Sequence, residues 1–232
     1  MMANLDTREK ALEEMKKELK KRERDTLTRA VELSKKRRVA AERLQSAVER
    51  EIHLLEMGGT RFRVDFEQAY AADEDDGERL LKHIRPDGLD RVEFLLSPNM
   101  GEDLKPLSKI ASGGELSRIM LALKSLLAKR ASVETIIFDE VDSGIGGATA
   151  EVVGEKLQSL AEYHQIICIT HLPQIASKGA VHFLVKKVTG HNRVQTAISM
   201  LAPEERINEI ARLLGGKIIS ERAMAHAREM LG

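Results

Sequence analysis

Residues 108–115 read Ser-Lys-Ile-Ala-Ser-Gly-Gly-Glu, and Ser112-Gly113-Gly114 opens a helical pattern. The first N–H groups of a helix lack backbone partners, and the helix dipole adds positive potential there. Glycines let a phosphate come close to such a backbone, and the Ser112 hydroxyl adds a donor. The same letters also spell an ordinary helix start, with Ser112 as N-cap and Glu115 completing a capping box. The residues downstream separate the two readings. The run Thr135-Ile136-Ile137-Phe138 ends in Asp139-Glu140. An aspartate at the carboxyl end of a buried strand can hold Mg²⁺, directly or through water. The adjacent glutamate points to the other side of the strand and can orient or deprotonate a water. Next come the small polar turn Asp142-Ser143-Gly144 and a second apolar run, Ile166 to Ile169, which leads to Thr170-His171. A histidine at such a strand end can donate a hydrogen bond to a terminal phosphoryl group.

Each motif alone has a plainer explanation: two exposed carboxylates in a turn, a structural histidine, a turn with no ligand. In this order they describe half of a nucleotide-hydrolysing site. No Gly-x-x-x-x-Gly-Lys-Ser/Thr loop occurs in the sequence, and that loop supplies most contacts to the β- and γ-phosphates. The chain alone is therefore expected not to cradle a triphosphate or hydrolyse it. The other six histidines have no comparable setting and are assigned to surface or packing. Cys168, the single cysteine, lies inside an apolar strand pattern and reads as an inert buried thiol.

The elements that must position these residues emerge from periodicity. Residues 3–57 contain no Gly or Pro, and Leu5, Leu12, Leu19, Thr26, Leu33, Ala40, Ala47 and Leu54 recur every seven residues. That predicts one long helix with an apolar seam wanting a partner, ended by Gly58-Gly59. The period then drops to two. Phe62, Val64 and Phe66 alternate with charged residues, and Val92, Phe94 and Leu96 repeat the pattern, giving two half-buried strands. An acidic solvated loop (71–79) lies between them, and Met100–Ile110 reads as irregular. A helix after Gly114 carries Leu116, Ile119, Met120, Leu123, Leu126 and Leu127 on one face. The runs 134–139 and 165–170 have the uninterrupted apolar character of strands buried on both faces. The helix between them (148–162) makes a parallel, right-handed crossover unit. A hairpin (Val181–Lys187 and Arg193–Met200) and two helices (203–213 and 219–231) close the chain. The domains are thus a stem, 1–57, and a head lobe, 58–232.

Charged residues make up 32% of the chain and aromatics 3%, a balance that suits long solvated helices. Acidic and basic residues both total 37, so net charge makes no case for nucleic acid. Between Lys16 and Arg43, however, twelve residues are basic and five acidic, and such a stripe can meet DNA phosphates as well as solvent. There is no signal-peptide pattern and no apolar run long enough for a bilayer, so no membrane partner is expected and the compartment reads as cytoplasmic.

The ordered set of motifs resembles the C-terminal half of an ABC-type ATPase head: signature loop, Walker B strand, D-loop and switch histidine. With a long helix upstream, it is similar to the SMC-like branch. The segments VEFLLSPN (92–99), LSKIASGGELSRIMLA (107–122), FDEVDSGI (138–145), CITHLPQIA (168–176) and AMAHAREML (223–231) resemble the RecN family of bacterial DNA-repair ATPases. The resemblance implies an α/β fold, mainly a parallel sheet flanked by helices, preceded by a coiled coil. It implies ATP and Mg²⁺ as cofactors. Ser112 and Gly114 would contact the γ-phosphate of a nucleotide held by a second head, and Gly113 and Glu115 would belong to the same nucleotide-binding turn. Asp139 would support Mg²⁺, Glu140 would activate water, His171 would sense the γ-phosphate, and Asp142 would lie at the dimer seam. The implied partners are the family's N-terminal lobe carrying the phosphate loop, a second head and DNA, with a place in the nucleoid. Another SMC- or Rad50-type ATPase head, or a non-catalytic coiled-coil DNA-binding or dimerisation fragment, is the alternative. A transporter cassette lacks such a stem.

Overall fold

A computed structural model describes residues 2–67, 77–110, 112–128, 133–189, 194–216 and 218–232. The expected turn of the hairpin and most of the acidic loop lie outside these residues. The chain is α/β, and its contacts gather it into two compact units. One holds residues 1–47, 62–97 and 103–106; the other holds 48–61, 98–102 and 107–232. Compactness thus divides the chain differently from the sequence boundary at 57/58, because one helix contributes to both units.

That helix, α1 (Met2–Leu54), is continuous. Its leucine stripe is exposed, with Leu12 at 52% and Leu19 at 57%. The buried positions are Ala30, Ser34, Ala41, Val48 and Ile52, with Leu55 buried just past the helix end. These recur at three-, four- and seven-residue steps on a face one residue on from the stripe, about 100° round the helix. This face is small at Ala30, Ser34 and Ala41 and larger at Val48 and Ile52, whereas Leu12 and Leu19 stay uncovered. The helix ends earlier than Gly58. Glu56 adopts φ 56°, its N–H bonds His53 O at 3.1 Å, and Met57 N–H reaches back to Ile52 O at 3.3 Å. This is the Schellman arrangement, with a glutamate where glycine is usual.

In the first unit, β1 (Arg61–Glu67), β2 (Arg91–Ser97) and β3 (Lys105–Pro106) form a three-stranded sheet in that order. β2 and β3 are antiparallel. The short β3 and a 3₁₀ turn, 107–109, occupy the stretch expected to be irregular. Pro106 is tolerated because β3 is an edge strand. A short helix α2 (Gly77–His83) comes after the undescribed residues. Phe62 and Val64 are buried as the alternation predicts, and Phe62 meets Phe94 with ring centroids 5.5 Å apart. Asp90 is buried and accepts Ser34 Oγ–H at 2.6 Å and Arg37 at 3.3 Å, which fastens the loop before β2 to α1.

In the second unit, α3 (Gly113–Leu127), β4 (Thr135–Phe138), α4 (Gly147–Leu160) and β5 (Gln165–Cys168) form the crossover unit. β4 and β5 pair in parallel, with Phe138 opposite Cys168. Ile119, Leu121, Ala122, Val141, Ala150, Val153 and Leu160 are buried. Two expectations change here. Leu126 and Leu127 are exposed while Arg118 is buried, so α3 is turned from its predicted face. And β4 and β5 are not covered on both sides: Ile137, Ile167 and Ile169 are 64%, 45% and 56% exposed. An uninterrupted apolar run records that both faces are apolar, not that both are covered by this chain. A four-residue helix α5 (Pro173–Ala176) leads to the hairpin β6 (Phe183–Thr189) and β7 (Val194–Met200). Helices α6 (Pro203–Gly215) and α7 (Glu221–Leu231) then pack through Ile210, Ala211 and Ala227. The parallel sheet is the small one; the other strands with assigned registers pair antiparallel.

A non-glycine residue in the left-handed region costs about 1–2 kcal/mol. Glu56→Gly is therefore expected to stabilise the chain by about 1 kcal/mol in urea unfolding. Unchanged or lower stability would show that Glu56 is unstrained there.

Candidate nucleotide-phosphate site

Helix α3 begins at Gly113 because Ser112 caps it in extended conformation, with Ser112 Oγ accepting Glu115 N–H at 3.4 Å. The hydroxyl proton stays available to an acceptor, so the structural cap and a phosphate donor are compatible roles. The Glu115 carboxylate has a different task from its backbone: its charge opposes the effect of burial, which pulls the Arg118 guanidinium below its ordinary value.

The parallel register brings the other motifs to one edge of the β4–β5 sheet. The ladder continues from Phe138 O to Ile169 N–H at 3.0 Å. Asp139-Glu140 and Thr170-His171 therefore leave the sheet side by side, at its carboxyl end, where open parallel sheets bind ligands. Asp139 Oδ1 accepts Glu140 N–H at 2.9 Å. Glu140 itself has φ 56°, a left-handed geometry that is strained for glutamate and that collects at functional positions. Ser143 N–H closes the turn on Glu140 O at 3.0 Å.

Two residues of α3 that motif spacing does not single out hold this turn. Ser117 Oγ donates to Asp139 O at 2.7 Å. Arg118 Nη1 donates to Ser143 O at 2.7 Å and to Val141 O at 3.5 Å. The available signal for Arg118 is a guanidinium set among the apolar positions of an amphipathic helix. The glycines meet the same turn. A methyl group on Gly113 would overlap Glu140 Oε2, and one on Gly114 would lie 2.7 Å from Ser143 Cβ. Thus Ser112, Gly113, Gly114, Asp139 and Glu140 belong to one local assembly.

Asp142, expected at a subunit contact, is only 5% exposed. Its Oδ2 accepts Thr170 Oγ–H at 2.6 Å and His171 N–H at 2.9 Å. The His171 ring stands beside it, with a side chain 75% exposed. Burial, then the charges of Asp142 and Asp139, push the Cys168 thiol up to about 12, which fits its reading as inert. Among the described residues no group of three His, Cys, Asp or Glu side chains could hold a metal. The lone Asp139 suits a Mg²⁺ that arrives on phosphates, since that ion is commonly held by one or two carboxylates plus phosphate and water.

No family model matches the chain. Individual relatives do. It is 46% identical over 199 residues to "DNA repair protein RecN" of Treponema pallidum, covering 86% of this chain and 34% of the relative. It is 36% identical over 230 residues to the protein of the same name from Bacillus subtilis, covering 98% and 40%. Over its own length the chain belongs to the RecN family. It spans about a third to two-fifths of the curated relatives named here. Similar solved structures include an Smc head domain with coiled coil and joint from Pyrococcus yayanosii, at 18% identity and TM-score 0.48, covering 81% of this chain and 32% of that one. The RecN matches favour that family over the Rad50-type and non-catalytic alternatives.

Gly114→Ala is expected to destabilise the chain by about 1–3 kcal/mol, because the new carbon meets backbone and Ser143 Cβ. Gly113→Ala should cost far less, since the Glu140 carboxylate can swing away. Denaturant unfolding of the two variants measures the difference, and equal losses would show that the Gly114 contact is not rigid.

Proposed function

We propose that this chain is the C-terminal head lobe, with part of the coiled coil, of a RecN-type SMC-like ATPase acting in DNA double-strand-break repair. The observation that carries the reading is the joining of the Ser112-Gly113-Gly114 turn to the Asp139-Glu140 turn, on a chain 36–46% identical to RecN proteins. In this account Ser112 and the first N–H groups of α3 receive the γ-phosphate of a nucleotide held by a second head. Asp139 holds Mg²⁺, which offsets the phosphate charge. Glu140 orients the attacking water, and His171 meets the terminal phosphoryl group. ATP draws two heads together and hydrolysis releases them.

The sheet supports a further lobe as partner. Ile137, Ile167 and Ile169 share one uncovered face of β4–β5, and parallel sheets are normally covered on both faces. The hairpin adds another apolar surface, with Phe183 opposite Met200 and Val185 opposite Ile198, all exposed. The lobe that carries the phosphate loop is the natural cover. For DNA, Lys17, Lys20, Lys21 and Arg24 cluster on α1, inside the basic stretch. No helix among the described residues is long and apolar enough to cross a membrane.

The test uses the intact protein. Glu140→Gln should still bind ATP and should accumulate a head dimer, with turnover reduced at least about 100-fold, because it removes transition-state help and leaves ground-state binding. Ser112→Arg should block ATP-dependent dimerisation in light scattering, since a bulky cation fills the phosphate's place. Normal turnover by the first variant, or normal dimerisation by the second, would refute the shared-site account.

A further inference from the structure

We propose that Asp142 is the positioning residue of His171, fixing which ring nitrogen faces the reaction. The inference rests on the proposed ATPase site and adds a residue to it. Three groups converge on one oxygen, Asp142 Oδ2: Thr170 Oγ at 2.6 Å, the His171 backbone N at 2.9 Å and His171 Nδ1 at 3.0 Å. The Asp142 side chain is 6% exposed while that of His171 is 75% exposed. A buried, immobile carboxylate therefore supports a ring that reaches outward.

The support is itself braced. Leu172 N–H donates to Thr170 Oγ at 3.0 Å, so the Thr170 hydroxyl proton is directed to Asp142. Arg118 holds the carbonyls on either side of Asp142, those of Val141 and Ser143. At 3.0 Å from a carboxylate oxygen, a ring nitrogen presenting a lone pair would be repelled, so Nδ1 carries a proton. A histidine whose Nδ1–H is held by an acidic partner has its tautomer and ring direction set. Nε2 is then the nitrogen that faces solvent. In the neutral ring it is an acceptor. To donate to a phosphoryl oxygen it must take a second proton, and the resulting imidazolium is ion-paired to Asp142. Asp142 thus acts on the phosphate through His171 and from inside its own chain.

Long-range ¹⁵N–¹H correlation spectra of the His171 ring read the tautomer directly, without nucleotide. For the neutral ring we expect protonated Nδ1 and bare Nε2 in the wild type. Asp142→Ala should shift the ring to the Nε2–H form that free histidine favours, whereas Asp142→Asn, whose amide oxygen must stay at the Oδ2 place to accept Thr170 Oγ–H and His171 N–H, should keep the Nδ1–H form and lose only the charge. Thr170→Val removes only the hydroxyl contact and should keep the Nδ1–H form. An Nε2–H ring in the wild type overturns the proposal whether or not the variants fold, and so does an Asp142→Ala ring unchanged from wild type. In the intact protein, Asp142→Asn should lower kcat by about 10–100-fold with little change in KM. If Glu140→Gln abolishes turnover but Asp142→Asn leaves it unchanged, the positioning role fails and the ATPase reading stands. Absence of hydrolysis in the intact wild type would sink the ATPase reading and leave the tautomer result intact.

Discussion

The candidate site depends on the tie between helix α3 and the turn after β4. Two side chains on consecutive residues make it, Ser117 to Asp139 O and Arg118 to the carbonyls of Val141 and Ser143. Backbone carbonyls outside a helix or ladder need donors, and here a helix supplies them, for the buried Val141 O as for the more open Asp139 O and Ser143 O. The left-handed Glu140 would otherwise be a local strain with nothing to hold it. The absence of a side chain at Gly114 lets the two segments touch. The start of α3 and the Asp139-Glu140 turn are therefore held as one piece.

Much of this is legible in the chain. The crossover pattern predicts α3, β4, α4 and β5 in order, and the ladder from Phe138 to Cys168 is parallel as expected. The long helix is real, as are the closing hairpin and helices. Burial is harder to read. A seven-residue count picks out leucines by size and overlooks alanine and serine, so the buried face of α1 through Ala30, Ser34 and Ala41 is invisible beside the Leu12 and Leu19 stripe. The continuous apolar runs of β4 and β5 suggest full burial, yet the sheet is covered here on one side only.

The site shows the same boundary between composition and geometry. Residue types point to Ser112, Asp139, Glu140 and His171 because their motifs follow one another in a telling order. Ser117 and Arg118 act on backbone carbonyls, and no spacing rule announces a contact to a carbonyl 22 or 25 residues away. The resemblance places Asp142 at a subunit seam; within this chain it is buried, with Thr170 Oγ–H and His171 N–H donating to its Oδ2. The stop of α1 at Glu56 escapes sequence reading for a related reason: the left-handed cap has no glycine, and two glycines nearby draw the boundary to themselves.

As proposed, this chain supplies one half of a shared nucleotide site. Equilibrium binding of ATP with Mg²⁺ tests it most directly, comparing the chain alone with the chain joined to a segment carrying a phosphate-cradling loop. The account predicts no saturable binding by the chain alone and tight binding by the joined protein. Saturable binding of ATP by the chain alone, at an affinity matching the joined protein, would contradict it.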